Sequence, residues 1–95
     1  GGAAVLESLQ AGRPVVAYAS GFIPEIVRHE REGVLVPPGD VGALADALRR
    51  LATDAPLRAR LAEGASLRAP EFTQERQLAA LAALYARLAP SPRSG

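Results

Sequence analysis

The chain has 95 residues, 48% hydrophobic and 22% charged, the balance of a folded domain and not of a disordered one. Its eleven basic residues, all arginine, nearly cancel ten acids, and a net charge of +1 gives little pull on nucleic acid or an anionic membrane. With no cysteine, a disulfide framework and a thiolate metal site are both excluded.

The predicted elements begin with a helix from Ala3 to Gln10, preceded by Gly1 and Gly2. Gly12 stands where a left-handed C-terminal cap belongs. Pro14-Val15-Val16-Ala17 is a short apolar, β-branched run between turn residues, the pattern of a strand covered on both faces in a parallel sheet. Ser20-Gly21-Phe22-Ile23-Pro24 reads as a loop, and Pro24 suits the first position of a short helix through Glu25, Ile26 and Val27. Arg28 to Glu32, with His29 inside it, reads as a solvated charged stretch. Val34-Leu35-Val36 is a second strand, closed by Pro37-Pro38-Gly39.

Asp40 is a suitable N-cap for a helix from Val41 to about Ala52, with Val41, Leu44, Ala45, Leu48, Leu51 and Ala52 on the inward face. Asp54 and Pro56 open a further helix with Leu57, Leu61 and Ala65 on one stripe. Gly64 weakens that helix and Pro70 is expected to end it. Thr73 then caps a last helix to about Leu88, with Leu78, Leu81, Ala82, Tyr85 and Leu88 inward. The segment from Pro90 to Gly95 is expected to be disordered.

Alternating buried strands and helices point to a parallel α/β layer, and two short strands are few for a stable sheet. The chain lacks an initiator Met and a basic leader, and it reads as if it begins in mid-fold with the rest of its sheet upstream. Its apolar runs fall well short of the roughly 20 residues that span a bilayer.

Candidate chemistry gathers at the first helix. Gly1 and Gly2 permit close approach of backbone to a ligand, and the free amides of Ala3 and Ala4 sit at the positive end of the helix dipole, a setting suited to phosphate. Glu7 lies one turn on, where a carboxylate can accept two hydrogen bonds from a ribose diol. The plainer alternative is a glycine-rich turn with a Glu that merely complements the dipole. Gly21 to Glu25 could bring a loop and a second helix start to the same place, or could be a simple turn. There is no Ser/His/Asp set, metal-ligand cluster or Walker-type loop.

The ordered strings VLESLQAGRPVVA, GFIPEIV, EGVLVPPGD, LADALRRLATDAPLRARLAEGA, FT and LAALYARL closely resemble the C-terminal part of GT-B-fold glycosyltransferases of the large family 4 group. The resemblance runs from residue 1 to about 88. Two positions depart from the family pattern: Gly21-Phe22 stands for a usual Gly-Gly, and Glu7-Ser8-Leu9-Gln10 for Glu-Ala-Met-Ala.

The resemblance implies a helix-rich α/β fold: the C-terminal half of a Rossmann-like parallel-sheet domain with an incomplete sheet. Residues 1–89 would be the C-terminal portion of a nucleotide-sugar-binding domain, followed by the tail at 90–95. It implies that Glu7 holds the ribose hydroxyls of the donor and that Gly2, Ala3 and Ala4 face its diphosphate. Gly21, Phe22 and Glu25 form a possible site loop. No catalytic residue, metal ligand or cofactor is expected in this chain; the first Glu of the family's Glu-x7-Glu pair would precede Gly1 by two positions. The parent would transfer a sugar from a nucleotide-diphosphate donor, with retention, to an acceptor sugar, lipid or small molecule bound by an N-terminal domain. Its last helix would cross back toward that domain, so the stripe Leu78, Leu81, Tyr85 and Leu88 is expected to be less buried in this chain than its pattern demands. A cytoplasmic location, with peripheral membrane association open to the parent, completes the expectation. The alternatives are a non-catalytic, truncated or degenerate interaction module, and a GT-B relative such as a sugar-nucleotide epimerase or a phosphorylase.

Overall fold

A computed structural model describes residues 2–88; Gly1 and the segment 89–95, including the tail expected to be disordered, lie outside the described residues. The elements in chain order are α1 (Gly2–Gln10), β1 (Val15–Tyr18), α2 (Ile23–Ile26), β2 (Gly33–Val36), α3 (Val41–Thr53) and α4 (Ala55–Leu88). Helix α1 stops where the sequence places its cap. Gly12 adopts φ +69°, its N–H donates to the Leu9 carbonyl at 2.9 Å, and the Arg13 N–H donates to the Ser8 carbonyl at 2.9 Å. These two bonds are the paired closure of a Schellman end.

Strands β1 and β2 pair in parallel, with Val15 opposite Gly33 and Tyr18 opposite Val36, and they form the two-stranded sheet of the described residues. Successive strand residues point to opposite faces, and each face carries its own core. On one face Val15, Ala17 and Leu35 pack with Val5, Leu6 and Leu9 of α1, Ile23 and Ile26 of α2, and Ala65, Ala69 and Phe72 of α4. On the other, Val16, Tyr18, Val34 and Val36 pack with Ala43, Leu44, Ala47 and Leu51 of α3 and with Leu57 and Leu61 of α4. Both faces of β1 are therefore covered as expected, although Val15 alone in that strand is fully buried.

Helix α3 starts on Asp40, whose Oδ1 accepts from the Ala43 N–H at 2.9 Å. Its inward face is narrower than the sequence pattern predicts. Ala47 is the buried residue, and Val41 and Leu48 are exposed, because a two-stranded sheet is too narrow to cover the whole stripe.

The largest departure is at Pro70. No helix ends there: α4 runs unbroken for 34 residues with Pro70 inside it. Pro70 has no N–H to give the Ser66 carbonyl, but Arg68, Ala69 and Phe72 around it are all buried, and tertiary packing outweighs the local preference. Thr73 does not cap a new helix. Its hydroxyl turns back to the Ala69 carbonyl at 3.1 Å.

The stripe Leu78, Leu81, Tyr85 and Leu88 is less buried than its apolar pattern demands, as expected: each of these is more than half exposed, since α4 has by then run past both core clusters. One further expectation is corrected: the segment 28–32 is not wholly a solvated stretch, because Glu32 is buried, 1% exposed. The long α4 gives the molecule its extents of 63 × 27 × 18 Å. No helix among the described residues is long and apolar enough to cross a membrane.

Candidate functional site

Among the described residues helix α1 begins at Gly2. The N–H groups in the first turn of a helix have no intrahelical acceptor. Of the residues assigned there, Ala4 and Glu7 are exposed. The face of α1 that carries Val5, Leu6 and Leu9 is turned into the core, which leaves Glu7 on the solvent side. Among the described residues its carboxylate has no hydrogen bond or salt bridge, so both oxygens are available as acceptors.

The second candidate segment lies beside the first, because α2 packs on α1 through Ile23 and Ile26 against Val5, Leu6 and Leu9. Gly21 adopts φ +57°, a left-handed conformation that costs a β-carbon-bearing residue energy; a β-carbon there would meet nothing, so the need for glycine is conformational. Phe22 is 73% exposed and Glu25 is exposed too. The structure thus brings the two segments together as neighbouring helices. It is their apolar sides that touch, while Glu7, Phe22 and Glu25 look outward.

What holds α2 in place was not readable from the sequence. Arg68 of α4 is 4% exposed, and its guanidinium reaches the carbonyls at the C-terminal end of α2. Nε donates to the Ile26 carbonyl at 2.7 Å and Nη2 to the Glu25 carbonyl at 2.9 Å. Nη1 donates to Glu71 and to Glu75, both at 2.7 Å, and the Phe72 ring lies under the cation with its centroid at 5.4 Å. Burial by itself would lower the pKa of Arg68, but the hydrogen bonds and charges of Glu75 and Glu71 outweigh it and raise the group above its ordinary value. In return Arg68 holds the Glu75 carboxyl below the usual carboxylate range.

The buried Glu32 is satisfied in the same region. Its carboxylate accepts from the Arg28 backbone N–H at 2.6 Å and from Arg28 Nε and Nη2 at 2.9 and 2.6 Å, and this hydrogen bonding raises the Arg28 pKa. Arg28 also reaches Glu71 at 3.3 Å. The spacing of Arg68 with Glu71 and Glu75 on one helix face was a local signal for part of this network. The contacts to α2, some 42 residues away in sequence, had none.

His29 is half-exposed, and its Nδ1 accepts from the Leu35 N–H at 3.0 Å, which orients the ring. Beside it Glu30, at φ +66°, takes a two-pronged grip from Arg50 at 2.6 and 3.1 Å; this hydrogen bonding holds the Glu30 carboxyl below its usual range. Among the described residues no group of three or more His, Asp or Glu is placed to hold a metal ion.

A family model described as glycosyl transferases group 1 matches residues 1–68. Similar curated proteins include the D-inositol 3-phosphate glycosyltransferase of Salinispora arenicola, 40% identical over 84 residues, which is 88% of this chain and 19% of that protein. The protein of the same name from Corynebacterium jeikeium is 36% identical over 94 residues, 99% of this chain and 22% of that protein. An exopolysaccharide phosphotransferase of Streptomyces coelicolor is 51% identical over 51 residues, 53% of this chain and 5% of that protein. The chain spans about a fifth of the length of the two glycosyltransferases. The family match covers α1, both strands, α2, α3 and the first part of α4, so the candidate segments at Gly2–Glu7 and Gly21–Glu25 both fall within it. The chain belongs to the group 1 glycosyl transferases.

Proposed function

We propose that the protein to which this chain belongs transfers a sugar from a nucleotide-diphosphate donor to an acceptor hydroxyl with retention of configuration. Residues 1–89 form the C-terminal portion of its donor-binding domain, in a GT-B arrangement. The observation that carries this reading is the position of Glu7, exposed on the solvent side of α1 within the family match. In this reading the amides of Gly2, Ala3 and Ala4 meet the diphosphate, where developing negative charge on the leaving group gains most from fixed donors. Glu7 accepts the two ribose hydroxyls. Gly21, Phe22 and Glu25 border the same site from α2. The acceptor and the cationic side chains that complete charge stabilisation come from other parts of the protein.

The test is product analysis with the full-length protein and UDP-, GDP- and ADP-sugars in turn. The reading expects a glycoside whose anomeric proton has the coupling constant of the donor's own configuration. No consumption of any donor would favour a non-catalytic module, or a phosphorylase, which takes its sugar from a glycoside and inorganic phosphate; conversion of a donor to its epimeric nucleotide sugar would favour an epimerase.

A further inference from the structure

The four-residue α2 is a single helical turn, too short to hold itself in water. Its last carbonyls have no intrahelical donors, and two of them, those of Glu25 and Ile26, are taken by one side chain, Arg68. Arg68 is fixed in turn at its other end by Glu71 and Glu75 and from below by Phe72. A planar guanidinium with several bonds made has little freedom left, so it acts as a rigid brace between α4 and α2. The other end of α2 is the Gly21-Phe22 turn, where no comparable side chain tethers the backbone among the described residues. The orientation of that turn is therefore set from behind, by a residue that itself is turned away from solvent.

We infer that Arg68 is a positioning residue for nucleotide-diphosphate binding: by clamping the Glu25 and Ile26 carbonyls it fixes the angle at which the Gly21–Ile23 segment meets the donor. This inference rests on the donor-site reading above and adds to it a residue that touches no ligand. Lysine at this position keeps the charge but offers a single ammonium in place of a fork, and cannot hold two carbonyls and two carboxylates at once.

The experiment compares Arg68→Lys with wild type in the full-length protein, with Leu57→Val, which thins the opposite core cluster, as a variant of lowered stability that leaves the clamp intact. UDP, GDP and ADP are the calorimetric probes, and hydrogen exchange reads the amides of Phe22, Ile23 and Glu25 to Val27, Pro24 having none. Arg68→Lys is expected to weaken nucleotide binding by about tenfold. It is also expected to speed exchange across 22–27 while leaving acceptor KM unchanged. Leu57→Val is expected to melt earlier with nucleotide affinity unchanged. In wild type, bound nucleotide is expected to slow exchange at Phe22 and Ile23, a measurement that stands if the Lys variant does not fold. Wild-type affinity in a folded Arg68→Lys, alongside weakened binding in Glu7→Gln, overturns the clamp and leaves the donor site standing. Equal loss in Arg68→Lys and Leu57→Val overturns it too, since stability alone would then explain both. A full-length protein that binds none of the three nucleotides removes the donor-site reading and the clamp together.

Discussion

Gly64 in α4 lies against the backbone of Arg31: a β-carbon at Gly64 would overlap the Arg31 carbonyl oxygen and stand 2.9 Å from its carbonyl carbon. On helix propensity alone Gly64→Ala gains about 1 kcal/mol. The overlap is with main chain next to the buried Glu32, so it cannot be relieved by turning a side chain. Overpacking of this kind costs about 1–3 kcal/mol. Gly64→Ala is thus expected to lower the thermal midpoint; a raised midpoint would mean that α4 can shift away from the 31–32 segment without loss.

The donor-site reading is sharpest at Glu7. Gln keeps the size and one acceptor of Glu7 but removes the charge, and hydrogen bonds to a charged group are worth about 1.5–3 kcal/mol, or roughly 10- to 150-fold in affinity. Glu7→Gln in the full-length protein is expected to fold normally, because the side chain is exposed, and to bind nucleotide more weakly by that factor. A Glu7 that only complements the helix dipole predicts about 0.3–1 kcal/mol of lost stability and no change in nucleotide binding. Calorimetric titration separates the two.

Acid is expected to weaken the fold through Glu30 and Glu75, whose carboxyls are held below their usual range by Arg50 and Arg68 respectively. A carboxyl depressed in the folded state contributes stability that is present above its unfolded pKa of about 4.3 and is lost as pH falls through the lower folded value. The thermal midpoint is expected to stay level on this account from neutral pH to about pH 5 and to fall below about pH 4. Both groups lie at the surface and are screened, so the slope is modest and shrinks with added salt. A Glu30→Gln/Glu75→Gln variant with an equally steep acid decline would assign that decline to other carboxyls.

The C-terminal stripe of α4 contributes nothing to either core cluster, with Leu81 56% and Tyr85 73% exposed. Leu81→Gln and Tyr85→Gln are expected to change the stability of this chain by no more than about 0.5 kcal/mol, the usual range for surface substitutions. They are also expected to reduce self-association in light scattering, since a contiguous apolar face is removed. A cooperative loss of stability would place the stripe against some surface of the same chain.

Local rules were legible where one residue decides the outcome. Gly12 closes α1, Asp40 opens α3, and the Leu57-Leu61-Ala65 spacing marks the buried face of α4, all as the sequence reads. Pro70 was misread because its local preference and the cap-like Thr73 agree with each other, while the packing of Arg68 and Phe72 that overrules them depends on partners far along the chain. The same distance hid Arg68 itself: nothing in the segment 25–26 advertises that its carbonyls need a donor from α4. The burial of Glu32 was masked by its charged neighbours, though an acid four residues after Arg28 is paired with it in the structure. At the candidate site, the structure turns Glu7 to the solvent side of α1 and gives Gly21 its left-handed turn; the part of both residues in donor binding is the proposal that nucleotide titration tests.

The unbroken course of α4 also fixes its length in phase. Each residue of an α-helix advances about 100° around the axis, and Phe72, in the core, and Leu78, on the exposed stripe, belong to one rod. Adding or deleting a single residue between Glu75 and Leu78 would leave Arg68 and Phe72 seated but swing the whole apolar stripe about a quarter-turn, with the composition of the helix almost unchanged. Substitutions at Thr73 to Gln77 keep this angular bond between the two ends of α4; a one-residue change in length severs it.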